Sequence, residues 1–209
     1  VPLYKTITIS KQTQIYIWKV TEPENELAKD IILTLHCQGR IANMKSSLHR
    51  CAFLSIRHLL KIAGYEDKDL VYNEFGKPHL FDGKHISITH SGNFTAIIVS
   101  TTNEVGIDIE KQRDKILRIA HKFTPIQEYS TLANSEAIIR KLTIVWGAKE
   151  SLYKIYSQPG LSFLNHINVK DFSLDDASTT AEIIYEGKKT EFDVAFFEIE
   201  DFTCVYAIS

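Results

Sequence analysis

Between Leu70 and Glu110 the chain reads as sheet. The β-rich segments Ile86 to Thr89, Phe94 to Thr101 and Glu104 to Glu110 are punctuated by the turn pairs Asp82-Gly83, Ser91-Gly92 and Thr102-Asn103. On either side the period changes. From about Lys45 to Ile62 the apolar residues Leu48, Ala52, Ile56, Leu59 and Leu60 recur every three or four positions, with Gly64 as a stop. Helical texture returns between about Lys115 and Tyr156, where Pro125 after Thr124 suits a first helical turn.

The ends follow the same logic. Thr13 to Val20 places Ile15 and Ile17 on one face of a strand and Tyr16 and Trp18 on the other. Thr21 to Leu35, with Leu27, Ile31 and Leu35 at helical spacing behind Pro23, Glu24 and Glu26, predicts a helix, and Gln38-Gly39-Arg40 predicts a break after it. The last fifty residues are mostly strand, anchored by Val169, Ile183, Val194, Phe196 and Val205. Strand, helices and strands, then helices and strands again, predict two similar α+β halves meeting near residue 100, at boundaries 1–100 and 101–209. No sequence repeat relates them. No Gly/Pro/Ser-rich linker separates them, so packed subdomains are expected.

With 209 residues, 44% of them hydrophobic, the chain can bury a proper core. Its 24 Lys and Arg against 26 Asp and Glu leave a net charge of -2, far from the basic footprint of a nucleic-acid binder. Cys37, Cys51 and Cys204 form no CxxC pair and are odd in number, which disfavours a disulfide framework or zinc site and suits a reducing cytosol. No apolar run approaches the ~18 residues of a membrane span, and Val1 to Ser10 carries no signal-peptide pattern, so a cytoplasmic protein is expected. Because the chain opens on Val1 rather than Met, trimming at its front is an expectation.

Two segments carry candidate chemistry. In Val105-Gly106-Ile107-Asp108-Ile109-Glu110 a strand puts Asp108 and Glu110 on one face and Ile107 and Ile109 on the other. Paired carboxylates need a cation or basic groups beside them, and oxygen ligands suit Mg²⁺ shared with phosphate. The plainer reading is a solvated end of an amphipathic strand. In Trp146-Gly147-Ala148-Lys149-Glu150-Ser151-Leu152-Tyr153-Lys154, helical spacing puts Trp146, Lys149, Glu150 and Lys154 on one face, which offers a third metal ligand or a general base together with cations for a diphosphate. The plainer reading here is a surface helix with a Glu150 to Lys154 ion pair, anchored by Trp146.

Together these segments, about forty residues apart, resemble the signature of the 4'-phosphopantetheinyl transferase superfamily, a G-[IV]-D-[IV]-E strand followed by a W-x-x-K-E-x-x-x-K helix. The match is complete at every signature position. Gly76-Lys77-Pro78, Thr89-His90-Ser91-Gly92 and Phe123-Thr124-Pro125-Ile126-Gln127-Glu128 extend the resemblance to the larger, surfactin-type branch, in the family's order, over roughly residues 45 to 170.

That resemblance implies two similar subdomains related by pseudo-two-fold symmetry, each a small antiparallel sheet on a long helix, with coenzyme A in the cleft between them and a monomeric state. It implies transfer of the 4'-phosphopantetheine arm of coenzyme A to a serine of an apo acyl or peptidyl carrier protein, with release of adenosine 3',5'-bisphosphate. Asp108, Glu110 and Glu150 would coordinate Mg²⁺ at the diphosphate, with Glu150, or secondarily Glu128, as the base for the carrier serine. Lys154 would offset diphosphate charge and Lys149 would lie beside the pantetheine arm. Lys77 with Gly76 and Pro78 would hold the adenine end, Thr89 and His90 would meet phosphates, and Arg50 would bind the 3'-phosphate. Without the family context, His90 reads as a strand-end hydrogen bonder and Arg50 as a solvated helix residue. One departure stands out: where surfactin-type members commonly carry a basic cluster before the Arg50 helix, this chain has His36, Arg40 and Lys45 between Leu35 and Lys45.

Two other readings of the same residues compete with the transferase. A catalytically idle relative that binds coenzyme A or a carrier protein is disfavoured by the intact Asp108, Glu110, Lys149, Glu150 and Lys154. Another Mg²⁺-dependent phosphoryl-transfer enzyme such as a nuclease is disfavoured by the lack of a basic stripe.

Overall fold

The computed structural model describes residues 3–125 and 134–209. The chain divides into two compact units, Val1–Asn103 and Glu104–Ser209. Among the described residues no helix is long and apolar enough to cross a membrane.

The first unit holds strands β1 (Leu3–Thr8), β2 (Thr13–Lys19), β5 (His85–Ser91) and β6 (Phe94–Ser100) in one antiparallel sheet of order β1-β2-β6-β5. A separate small hairpin pairs β3 (Leu70–Tyr72) with β4 (Pro78–Leu80). Ile15 and Ile17 are fully buried while Tyr16 is half-buried, as the period-two reading requires, although Trp18 is also buried at 2% exposure. Across this sheet lies α3 (Ser47–Ile62), which contributes Leu54, Ile56, Leu59 and Leu60 to the core. Its start is set by Ser46, whose hydroxyl accepts from His49 N at 3.4 Å. It closes at Gly64, whose φ of 91° is open to a residue without Cβ.

The segment expected to be one helix from Thr21 to Leu35 is corrected by the structure. Only α1 (Glu24–Leu27) is helical there, and α2 (Leu35–Ala42) runs through the expected Gln38-Gly39-Arg40 break. The reason is capping against a distant partner. Asp30 takes a left-handed φ of 61°, and Thr34 caps α2 by accepting from Cys37 N while its own N and Oγ1 donate to Asp67 at 2.8 and 2.9 Å. Of the expected apolar face Leu27 is buried, Ile31 is half-buried and Leu35 is 85% exposed.

The second unit carries a five-stranded antiparallel sheet of order β7-β11-β10-β9-β8, from β7 (Val105–Lys111), β8 (Ile167–Val169), β9 (Ser178–Tyr185), β10 (Lys188–Ile199) and β11 (Phe202–Ile208). Short helices α4 (Lys115–Ile119) and α6 (Phe163–His166) flank the long α5 (Ser135–Tyr156), which packs on β7 and β11. Asn134 caps α5 by accepting from Ala137 N at 2.8 Å, and Ser157 ends it in a left-handed turn of φ 51°. Leu142, Val145, Ala148, Leu152 and Ile155 on α5 meet Val194, Phe196 and Val205 from the sheet. Each unit is thus α+β, with an antiparallel sheet packed on one long helix.

Candidate active site

The site in the second unit is built on the contact between β7 and α5, and two glycines make that contact possible. A Cβ on Gly106 would stand 2.0 Å from the Ser151 carbonyl oxygen, and one on Gly147 would stand 2.7 Å from Val205 Cγ2 and 3.8 Å from Asp108 Oδ2. Helix and strand therefore meet backbone to backbone. Ser151 Oγ adds a hydrogen bond to the Val205 carbonyl at 3.1 Å, tying the helix to β11 as well. Neither glycine was assigned a role from the sequence, though both lie inside the motifs; the signal was a residue type whose only merit there is the lack of a side chain.

This close approach brings Glu150 and Lys154 of α5 to the Asp108 and Glu110 face of β7. Lys154 Nζ donates to Asp108 Oδ1 at 2.8 Å and to the Ile107 carbonyl at 2.7 Å. Asp108 is 6% exposed, so the solvated strand end is excluded for it, and Lys154 pairs with the strand rather than with Glu150. Glu150 is half-buried. Burial, then the negative charge of Asp108, and to a smaller extent that of Glu110, push its carboxyl up to about 7 against the pull of Lys154. Three carboxylates and one ammonium thus share one electrostatic neighbourhood.

The remainder of the helix motif points elsewhere. Trp146 packs on Phe123 and Phe163 with ring centroids 5.1 and 5.4 Å away, and Lys149, 2% exposed, donates to the carbonyls of those same residues at 2.5 and 2.7 Å. The helix is not a surface helix: Gly147, Ala148, Lys149, Ser151 and Leu152 are all buried. The expected single face divides into a Trp146 and Lys149 side held by Phe123 and Phe163, and a Glu150 and Lys154 side held by β7. Glu128 lies outside the described residues.

The donor chemistry of Asp108, Glu110 and Glu150, all oxygen and all acidic, fits a hard divalent cation. In the arrangement described, the Lys154 ammonium holds Asp108, and among the described residues no three His, Cys, Asp or Glu side chains converge as ligands of one ion.

In the first unit, Lys77 and Pro78 lie at the β3-β4 hairpin, where Asn73 Oδ1 accepts from Lys77 N at 2.9 Å and Gly76 turns with φ 80°. Thr89 is buried and His90 exposed on β5, and the His90 ring lies 6.1 Å from that of His49 on α3. Arg50, in the next position of α3, is held by Glu24: Nε lies 2.8 Å from both carboxylate oxygens and Nη1 donates to the Met44 carbonyl at 2.7 Å. From the sequence Glu24 reads only as part of an acidic first helical turn, and no local signal pairs it with Arg50, which is 26 residues away.

The model of the 4'-phosphopantetheinyl transferase superfamily matches residues 104–207, nearly the whole second unit. The chain is 28% identical over 152 residues to the 4'-phosphopantetheinyl transferase gsp of Aneurinibacillus migulanus, covering 70% of this chain and 60% of that protein. It is 31% identical over 121 residues to the 4'-phosphopantetheinyl transferase AcpT of Salmonella typhi, covering 54% of this chain and 62% of that protein. The chain thus spans less than two thirds of the length of these curated relatives. Its carboxylate strand and its lysine-bearing helix are the core of the matched region, and the second unit, over residues 104–207, belongs to the 4'-phosphopantetheinyl transferase superfamily.

Proposed function

We propose that the protein transfers the 4'-phosphopantetheine arm of coenzyme A to a serine hydroxyl of an apo acyl or peptidyl carrier protein, releasing adenosine 3',5'-bisphosphate. The observation that carries this reading is the convergence of the helix residues Glu150 and Lys154 on the Asp108 and Glu110 face of the strand, with Lys154 Nζ 2.8 Å from Asp108 Oδ1. A serine hydroxyl needs a base at neutral pH, and the half-buried Glu150 carboxyl is the candidate among these groups, directly or through water.

In this mechanism Glu150 takes the proton from the carrier hydroxyl as its oxygen bonds to the phosphorus next to pantetheine and the phosphoanhydride bond to the adenosine bisphosphate breaks. Lys154, fixed by the Ile107 carbonyl, keeps a positive charge where the diphosphate gains negative charge. Asp108, Glu110 and Glu150 would hold Mg²⁺, which supplies charge neutralisation to the diphosphate when bound. Glu128 is a second candidate for the base. Lys149 organises the site from within, since its two carbonyl bonds join α5 to Phe123 and Phe163. For the adenosine end, Lys77, Pro78, Thr89, His90 and Arg50 are the proposed contacts. A cytoplasmic monomer is part of the same reading.

The test is the intact mass of an apo acyl carrier protein and an apo peptidyl carrier protein after incubation with this protein, coenzyme A and Mg²⁺. A phosphopantetheine-sized gain, lost with chelator and with Glu150→Gln, is expected. If neither carrier gains mass while both are modified by a known transferase, the reading fails.

A further inference from the structure

The Glu24–Arg50 pair bears on which ligands the first unit accepts. Glu24 opens α1 and Arg50 stands in the first turns of α3, and the two side chains are 34% and 26% exposed. They line a cavity of about 460 Å³ whose other walls include Ile31, Leu33, Ile41 and Leu54. An arginine in such a place, with apolar walls around it, is a natural partner for a phosphate monoester. Here its charge is already met by a carboxylate at 2.8 Å. Glu24 and Arg50 are the charged residues of this lining, and the nearby Arg40 guanidinium lies against the Phe53 and Tyr72 rings, 5.5 and 5.4 Å from their centroids.

We propose that Glu24 sets ligand specificity by competing for Arg50, so that the 3'-phosphate of coenzyme A adds little to binding and the 3'-dephospho form is accepted almost as well. This rests on the assignment of Arg50 to the 3'-phosphate in the proposed function. The physical reason is direct. A phosphate monoester carries nearly two negative charges at neutral pH, so it must either displace the Glu24 carboxylate from Arg50 or bind next to a like charge. Either route cancels most of what a charge-assisted contact contributes.

The experiment measures binding of coenzyme A and of 3'-dephospho-coenzyme A by calorimetry at fixed ionic strength, for the wild type, Glu24→Gln, Glu24→Ala, Arg50→Gln and the Glu24→Gln/Arg50→Gln pair. The wild type should prefer coenzyme A by less than about fivefold, and Glu24→Gln and Glu24→Ala should tighten coenzyme A alone by about tenfold, the size of one freed charge-assisted contact. Adding Arg50→Gln should erase that gain. Equal changes for both ligands in the two Glu24 variants would mean a structural role and would overturn the proposal. So would a strong wild-type preference for coenzyme A that depends on Arg50 and ignores Glu24, an outcome that leaves the Arg50 assignment standing. Indifference of both ligands to Arg50→Gln in the Glu24→Gln background would remove Arg50 from the site and the proposal with it, without touching the carboxylate site on β7.

Discussion

Lys154 Nζ and Asp108 Oδ1 lie 2.8 Å apart, one on a helix and one on the strand beneath it, and the same ammonium holds the Ile107 carbonyl. The carboxylate is nearly buried, at 8% side-chain exposure, while the lysine keeps 27%. Removing the cation therefore leaves a buried charge facing Glu150. Lys154→Met should cost about 2 kcal/mol in urea denaturation, below the roughly 3 to 5 kcal/mol of a fully buried pair because Lys154 is partly solvated. Transfer to the carrier should fall by roughly 100-fold or more, as expected for loss of one fixed charge at a phosphoryl-transfer site. The Glu150 carboxyl should rise further, visible in its NMR titration, because Lys154 is the group that lowers it.

The raised Glu150 carboxyl makes stability depend on pH in the metal-free protein. The folded state keeps the proton up to about 7, whereas an unfolded glutamate releases it near its ordinary value of 4.5. The folded state thus binds the extra proton between those limits, and its stability declines as pH rises through that window. The contribution is on the order of 3 kcal/mol across the whole interval. In chelator, the difference in urea stability between Glu150→Gln and the wild type should grow in favour of Glu150→Gln from pH 5 to pH 8. A constant difference would show that Glu150 is not so perturbed.

Gly106 and Gly147 differ in what a methyl group would strike. At Gly106 it meets the backbone of Ser151, which cannot move without shifting α5, whereas at Gly147 it meets the Val205 side chain. Gly106→Ala should cost about 3 kcal/mol and Gly147→Ala about 1 to 2 kcal/mol. Transfer activity should fall more steeply for Gly106→Ala than its stability loss explains, because the shift opens the distance between Lys154 and Asp108. Thermal melting beside the intact-mass assay separates the two effects.

In the first unit the Arg57 and Asp67 pair is the buried ionic contact to test. Arg57 Nε donates to Asp67 at 2.8 Å, Arg57 Nη2 donates to Cys37 Sγ at 3.3 Å, and the guanidinium lies 3.6 Å from the Phe53 ring centroid. Burial raises the Asp67 carboxyl, but the Thr34 N–H and the Arg57 guanidinium outweigh it and hold it below the usual range. Arg57→Met should destabilise by about 3 to 5 kcal/mol, since an unpaired carboxylate remains in the core. Asp67→Asn should destabilise by a comparable amount, since it strands the buried Arg57 guanidinium, which cannot give up its proton. Chemical denaturation of both variants compares them.

Helix and strand periods were legible wherever a segment is long and presents one face to its core. The Lys45 to Ile62 reading became Ser47–Ile62, and the strand segments starting at Phe94 and Glu104 became Phe94–Ser100 and Val105–Lys111. The Thr21 to Leu35 reading failed because apolar spacing was not backed by burial: Asp67, far along the chain, takes Thr34 as a partner and restarts the helix there. The Trp146, Lys149, Glu150 and Lys154 face was seen as one, yet two sets of contacts divide it, Phe123 and Phe163 on one side and β7 on the other.

By itself the sequence determined the α+β class, the helix and the strand that carry the acids, and the family those motifs belong to, because these follow from local period and from residue types at set spacing. Tertiary structure alone decided which cation meets which carboxylate. Lys154 reaches Asp108, and Arg50 is claimed by Glu24, because backbone approach through Gly106 and Gly147 and the meeting of α1 with α3 are long-range events that no local pattern encodes. The raised Glu150 carboxyl is of the same kind: it is a property of burial and of neighbours on another element, not of the glutamate or of the residues beside it in the chain.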